Sequence, residues 1–341
     1  MNAYSVQTMQ NWEKIPHKRY VQVNYEYLSV HAKAVALQEF PLFDWNTPGV
    51  HPNSHASFAS HSFWHCVQDF CFGYPHLGED GTLEKFRTVD TFGEVQKGSY
   101  GMGACFYRAF GEKPVPVSKI RHIAEKPERT KRFFIGFNDI PMIEKRREFL
   151  LDASDVLENR YRGNPIHILE EGNYRAFGSE RSPGVVDLLS RDFPTVFGSD
   201  RAFLDSHEFA FLKRAQLFIL EYNGRAVHSR GALRPIEDAE ELGPIVDYQI
   251  PRYYRDVEVF DYSGELDAHI FGRVPIPPRS RMEVELRGAT MYAFSWELVI
   301  INETRRAHHL PPIGIAQLDS DRWSRGREVK NPHHLCWTTD Y

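Results

Sequence analysis

A chain of 341 residues, 42% hydrophobic and 26% charged, can bury a sizeable core in one large domain or two. Its 41 basic and 46 acidic residues leave a net charge of −5, which excludes a global attraction to long nucleic acid or to an anionic membrane. Its partners should be small, or held in a local basic pocket. Cys66, Cys71, Cys105 and Cys336 form neither a CxxC pair nor a small-domain disulfide framework. The N-terminus lacks the apolar stretch of a secretory signal, and no run is long enough to span a membrane. These features predict a soluble cytoplasmic protein with reduced thiols, no membrane contact and no stable nucleic-acid partner.

In chain order, residues 19–40 read as an extended start running into a helix, and 41–62, rich in Pro, Asn, Ser and His, read as loop. Phe63–Phe72 is apolar and aromatic. A turn-rich stretch over 73–81 follows, then a hairpin through Thr91–Gly98 and a tightly packed helix over Gly98–Phe110. Asp139 and Pro141 mark the start of a helix that carries Ile143, Leu150, Leu157 and Tyr161 and stops at Gly163. Ser182-Pro183 opens a short helix. Glu208–Gly224 is apolar at nearly every position and predicts a core helix closed by Asn223-Gly224. Met282–Arg287 reads as a short strand or turn, and Ala289–Thr304 as a long apolar helix. With no internal repeat or linker composition, the chain is expected to be one mainly α domain with a few short strands, residues 1–40 lying at its periphery.

Within the predicted core helix, Lys213 projects between Phe209, Leu217 and Leu220, while Arg214 and Glu221, seven apart, take the solvent stripe. A buried ammonium needs an answering carboxylate or phosphate. Lys213 is therefore either a structural lysine that snorkels or meets a core carboxylate, or a cation held in a dry site to act on a substrate or a catalytic acid. Asp247, between Ile245-Val246 and Tyr248-Ile250, is either a cap or turn aspartate or a carboxylate in the apolar surroundings that shift pKa values. Glu285 with Arg287, and Asp69 beside Phe70 and Phe72, are further charges in apolar segments. Together they suggest one buried polar site. His51/His55 and His61/His65 have the four-residue spacing of metal ligands on a helix, but Pro52 breaks the first pair and no HExxH accompanies the second, so no metal is expected. GxxxxGK[ST], GxGxxG and GxSxG are absent.

LKRAQ (Leu212–Gln216), VDYQIP (Val246–Pro251) and RMEVELRG (Arg281–Gly288) follow one another, with IPMIEKR (Ile140–Arg146) upstream and LDSDRW (Leu318–Trp323) near the end. This ordered set resembles the queuosine salvage proteins, nucleosidases that release queuine from queuosine or its 5′-monophosphate. The similarity runs from about residue 45 to Tyr341 and is strongest over 140–300. The front motif departs from the family's LNFSFW: here it is DFCFGY, with Asp69 at the asparagine position and Gly73 at the tryptophan position. Tyr100 stands for a tryptophan of the family's GYW element, and DYRVPQ has become Asp247-Tyr248-Gln249-Ile250-Pro251-Arg252.

The resemblance implies a fold related to the helical DNA glycosylases and cofactor-free, metal-free hydrolysis of a C1′–N bond. Asp247 would be the carboxylate beside C1′, and Lys213 would keep it ionised or bind the 5′-phosphate or ribose. Phe70 and Phe72 would stack on the deazaguanine while Asp69 accepts from its N–H groups. Tyr100, Tyr248, Glu285, Arg287, Asp319, Trp323 and His51 complete the expected substrate-binding set. Two rivals stay open: a glycosidase for another modified or deazapurine nucleoside, and a catalytically silent binder of modified nucleosides or tRNA.

Overall fold

A computed structural model describes residues 2–78, 83–179 and 181–341; residues 79–81 of the expected turn-rich stretch lie outside the described residues. The chain opens with α1 (Ala3–Lys14), β1 (Val21–Val23), α2 (Tyr25–Val35) and α3 (His55–Gln68). Short strands β2 (Gly73–Leu77), β3 (Leu83–Lys85), β4 (Arg87–Val89) and β5 (Val95–Lys97) lead into α4 (Ser99–Phe110). Then come α5 (Val117–Ala124), α6 (Pro127–Phe133), α7 (Ile143–Arg160), α8 (Ile166–Glu171) and α9 (Val185–Asp192). The hairpin of β6 (Arg201–Leu204) and β7 (His207–Ala210) precedes α10 (Lys213–His228). The rest is α11 (Gln249–Asp256), β8 (Phe260–Tyr262), α12 (Gly264–Gly272), α13 (Arg281–Ala307) and α14 (Ile315–Glu328). All strands pair antiparallel in twos, β1 with β8, β2 with β3, β4 with β5 and β6 with β7. The molecule is therefore mainly α, with one continuous hydrophobic core.

At the centre lies α10, buried from Lys213 through Tyr222 and packed against α3 and α9. A helix buried on all sides must pair every polar side chain it carries. Arg214 donates to the carbonyl of Val67 at 2.9 Å and to that of Val196. Arg225 donates to the carbonyls of Asp44 and Pro52, each at 2.9 Å, and to that of Trp45. These two guanidiniums tie the end of α3 and the 44–52 segment to the central helix. The predicted solvent stripe is thus corrected, since Arg214 and Glu221 are both buried.

The predicted helix over 208–224 is also corrected. Residues 207–210 form β7, and α10 starts at Lys213 after Leu212, which has φ 49°. Apolarity marked the segment as buried but could not distinguish a core strand from a core helix. At the other end the helix runs past Asn223-Gly224, because Gly224 sits where a Cβ would come within 2.5 Å of the Phe43 carbonyl. That glycine serves close packing and does not cap. Residues 55–62, expected as loop, form the first half of α3, where small serines let the helix approach α10. Asp139 does not cap α7, whose N-cap is Met142 with φ 56°.

Met282–Arg287, expected as strand or turn, lies inside the 27-residue α13 capped by Ser280. The N-terminal residues are not peripheral either. Trp12 is 2% exposed, and a Cβ on Gly288 would meet its ring at 2.8 Å, so α1 lies directly on α13.

Candidate active site

Four elements meet around an inner cavity of about 60 Å³: the end of α3, the starts of α4 and α10, and the α14 face opposite residues 245–248. Each brings charged or polar groups. Arg146 of α7, fully buried, positions the end of α3 by donating to the carbonyls of Gln68 (2.5 Å), Cys71 (3.0 Å) and Phe70, which α3 leaves without helical partners. The turn that follows places Asp69 and Phe72 on the cavity wall.

Lys213 is the first residue of α10. Its backbone N–H donates to Asp200 Oδ2 at 2.8 Å, and Asp200 is held by both terminal nitrogens of Arg287 at 2.6 and 2.9 Å. Lys213 is 4% exposed, and its ammonium forms a short ion pair with Asp69 Oδ2. Lys213 therefore meets a carboxylate, but that carboxylate is Asp69 and not the Asp247 expected from sequence. Asp69 Oδ1 accepts from Ser99 Oγ at 2.6 Å. Burial alone would raise the Asp69 carboxyl, but Lys213 and His65 outweigh it and hold it down at about 2.

Asp247 precedes α11. Its Oδ1 accepts from the Gln249 N–H at 2.6 Å, and its Oδ2 from Trp323 Nε1 at 3.0 Å. Trp323 lies four residues after Asp319, so both side chains share one face of α14. This docking of α14 on α11 requires Gly326, where a Cβ would sit 2.4 Å from the Gln249 carbonyl. Asp319 Oδ1 accepts from the Ile245 N–H at 3.0 Å. Burial raises the Asp247 carboxyl, with Lys213 partly opposing. Burial, reinforced by the charge of Asp247, pushes Asp319 up to about 8. At neutral pH the cavity wall thus carries an ionised Asp69 and, with Asp247 on the α14 side, a protonated Asp319.

The raised Asp319 has a measurable consequence. Its contribution to stability is complete below 3.8 and is lost as pH rises towards about 8, because the unfolded chain ionises first. Asp319→Asn should remove this slope and exceed wild-type stability at the alkaline end, as followed by urea unfolding at a series of pH values. An unchanged slope would place the titration elsewhere.

Of the remaining expected residues, Phe72, Tyr100, Tyr248 and Trp323 line the cavity. Tyr248 stacks on His333 at 4.2 Å, and Tyr100 packs 6.2 Å from Trp323. Four others do not line it. Phe70 turns away to pack on Phe149 and under Arg146, whose guanidinium lies 4.3 Å from its ring. Glu285 accepts from the amides of Arg19 (3.0 Å) and Tyr20 (2.6 Å), anchoring the N-terminal segment to α13. Arg287 acts at one remove, through Asp200 and by lying 4.7 Å from the Tyr341 ring. His51 sits behind the wall, 5.8 Å from His65.

Sequence reasoning missed Ser320 and, more consequentially, the linked Ser99, His65 and Glu221 on the wall. Ser99 Oγ lies 3.0 Å from His65 Nε2, and His65 Nδ1 lies 2.8 Å from Glu221 Oε1. The usable signal was Glu221 in an apolar helix. Its assignment to solvent hid it. The wall also contains Tyr341, at the end of the chain, and the aromatic residues Phe43 and Trp45.

Of the histidines spaced four apart in the sequence, His61 Nε2 lies 2.9 Å from the Lys113 carbonyl. Among the described residues, His65, Cys66 and Glu221 bring possible ligand atoms within 4.8 Å. Of these, Nδ1 of His65 lies 2.8 Å from Glu221 Oε1, and burial pushes the Cys66 thiol well above its ordinary range.

Ser99, Tyr100, Tyr248 and Trp323 also border an outer chamber of about 450 Å³. Its walls carry Lys85, Arg87, Lys97, Arg252, Arg273, Arg327 and Lys330 against Glu84 and Glu328. Lys85 lies 5.3 Å from the Tyr248 ring, and burial together with Arg252 and Arg327 lowers it to about 8. Arg327 covers both Tyr100 (5.0 Å) and Trp323 (4.8 Å). The inner cavity and the larger cationic chamber therefore share a rim of Ser99, Tyr100, Tyr248 and Trp323. Among the described residues, no helix is long and apolar enough to cross a membrane.

The profile of the queuosine salvage proteins matches residues 51–338. A Sphaerobacter thermophilus protein named queuosine 5′-phosphate N-glycosylase/hydrolase is 24% identical over 330 residues, covering 94% of this chain and 93% of its own. Proteins of the same name from Dictyostelium discoideum and Mus musculus are 27% and 21% identical. The first match covers 60% of each chain, and the second 69% of this chain and 68% of its own. Since the family profile spans well over half of the sequence, the chain belongs to the queuosine salvage protein family.

Proposed function

We propose that this protein hydrolyses the C1′–N bond of queuosine 5′-monophosphate, releasing queuine, without a metal or other cofactor. The observation that carries this reading is the pair of joined cavities: an inner one with Asp247, Asp319 and the Lys213–Asp69 pair, and an outer cationic one. The base enters the inner cavity, C1′ lies beside Asp247, and the 5′-phosphate faces Lys85 and Arg327. Cleavage builds positive charge on C1′ and the ring oxygen. Asp247 stabilises that charge and accepts a proton from the attacking water. Lys213, whose charge Asp69 neutralises, fixes the inner end of the site and does not reach the phosphate. Four free, buried thiols suit a reducing cytoplasm.

Purified protein incubated with the nucleotide, with product followed by chromatography and mass spectrometry, tests this directly. Free queuine supports the reading. Tight binding with no release would make the protein a binder.

One observation bears on the rival reading of a related 7-deazapurine nucleotide: both carboxylate oxygens of Asp69 are engaged, by Lys213 and by Ser99. The charge that distinguishes DFCFGY from the family motif is therefore spent largely inside the protein. Asp69→Asn frees the ammonium of Lys213 to act on Asp247 and should change relative rates across a panel of 7-deazaguanine nucleotides differing at the ring substituent. Identical rate ratios would remove Asp69 from base recognition.

A further inference from the structure

We infer that His65 and Ser99 form a proton relay, held by Glu221, that protonates the departing base; this rests on the glycosidase reading above and supplies the acid it lacks. The argument is an inventory of hydrogens. Ser99 Oγ lies 2.6 Å from Asp69 Oδ1 and 3.0 Å from His65 Nε2. A hydroxyl has one proton to donate, and ionised Asp69 can only accept. The Ser99 proton therefore lies on the short contact to Asp69, and Oγ must accept from Nε2–H. The other ring nitrogen, Nδ1, faces Glu221 Oε1 at 2.8 Å, and the second oxygen of Glu221 accepts from Ser62 Oγ at 2.7 Å. Both nitrogens of His65 face acceptors, so the ring is an imidazolium.

This polarity separates the cluster from a serine nucleophile despite its Ser–His–Glu spacing. In a hydrolytic triad the histidine accepts the serine proton, whereas here it donates towards the serine. The charges around His65 agree. From α3 it faces Asp69 and His61, from α10 Glu221 and Lys213, and from the 44–52 segment neutral His51. Burial pulls the imidazolium down, but Glu221 and Asp69 outweigh it and Lys213 together and raise it above its ordinary value.

The step balances. As the C1′–N bond breaks, its electron pair stays on the base nitrogen. The Ser99 hydroxyl turns from Asp69 to that nitrogen and gives it its proton while Oγ takes the Nε2 proton, leaving neutral His65 on Glu221. Water adds its oxygen to C1′ and gives its proton to Asp247. After product release that proton returns to His65 through solvent, and the enzyme is restored. Ser99 and His65 both line the inner cavity and are catalytic residues in this scheme, while Glu221 is a positioning residue. Asp319 also carries a proton but lies on the α14 side with Asp247.

The test compares two leaving groups on wild type, Ser99→Ala and His65→Gln. With the natural nucleotide, loss of a general acid should lower kcat by about 10²–10⁴-fold. With 4-nitrophenyl β-ribofuranoside 5-phosphate, whose nitrophenolate leaves without a proton, both variants should keep the wild-type rate. The kcat–pH profile gives a second readout. The wild-type rate on the nucleotide should fall as pH rises through the His65 transition. Glu221→Gln should shift that fall to lower pH, and Ser99→Ala should abolish it. A Ser99→Ala protein that is equally slow on both substrates, or fast on the nucleotide, overturns the relay. So does an alkaline fall that survives in Ser99→Ala, which would belong to Asp319. A wild-type protein that cleaves no nucleotide overturns the glycosidase reading instead.

Discussion

Asp247→Asn should lower kcat by at least about 10²-fold while leaving nucleotide binding largely intact, as expected for removal of a charge that acts only in the transition state. The ground-state nucleotide carries no positive charge at C1′, so a carboxylate there gains nothing until the glycosidic bond lengthens. Asn keeps the size and one carbonyl oxygen, which can still accept from the Gln249 N–H that starts α11. Its amide then faces Trp323 Nε1, a donor against a donor, and this strains the rim without emptying the site. Steady-state kcat and calorimetric binding to the purified variant separate the two effects. Cleavage near the wild-type rate would move the chemistry to Asp319, the other raised carboxyl on the cavity wall. Glu285 is not a candidate for that role, because its oxygens hold backbone amides of the N-terminal segment.

Lys213→Met should destabilise the fold by about 3–5 kcal/mol, the usual consequence of removing one partner from a buried ion pair. Asp69 would be left as an uncompensated charge, 7% exposed, between Ser99 and the core. The effect is therefore chiefly on stability, where sequence alone pointed to turnover. The pH dependence has a definite sign. The folded Asp69 carboxyl is lowered from 3.8 to about 2, so the stability it contributes is present above 3.8 and is lost as pH falls through about 2. That acid-side loss should vanish in Lys213→Met. Combining Lys213→Met with Asp69→Asn should recover most of the stability, since neither side then holds a buried charge. Urea unfolding of the four proteins forms the cycle. Full wild-type stability in Lys213→Met alone would mean that the pair contributes nothing.

The helical segments with caps, prolines and regular apolar spacing were readable because those signals are local. The α7 and α9 segments and the packed α4 all lie close to where spacing placed them. The central helix was misjudged at both ends for a shared reason. An all-apolar stretch has no periodicity, so it cannot report where a strand yields to a helix or which residues face solvent. Arg214 and Glu221 were sent to the surface because charge usually marks it, yet in this core Arg214 binds the carbonyls of Val67 at the end of α3 and of Val196, and Glu221 binds His65.

Sequence by itself determined the class of the fold and the family, and it pointed to a buried polar site from Lys213, Asp247, Asp69 and the Glu285–Arg287 pair. The structure puts the first three on one cavity wall and the pair off it, while Asp319 entered only through the family resemblance. Charges in apolar segments are costly enough to be conspicuous wherever they occur. Which charge answers which was decided only by tertiary structure. Lys213 pairs with Asp69, 144 residues away, because Arg146 holds the end of α3 beside the first turn of α10. Ser99 and Glu221 join the site through His65, a contact between three separate helices. Partner choice at such distances depends on how whole helices pack. Local pattern carries no record of that packing, because a buried polar group specifies only that it must be satisfied and not by what.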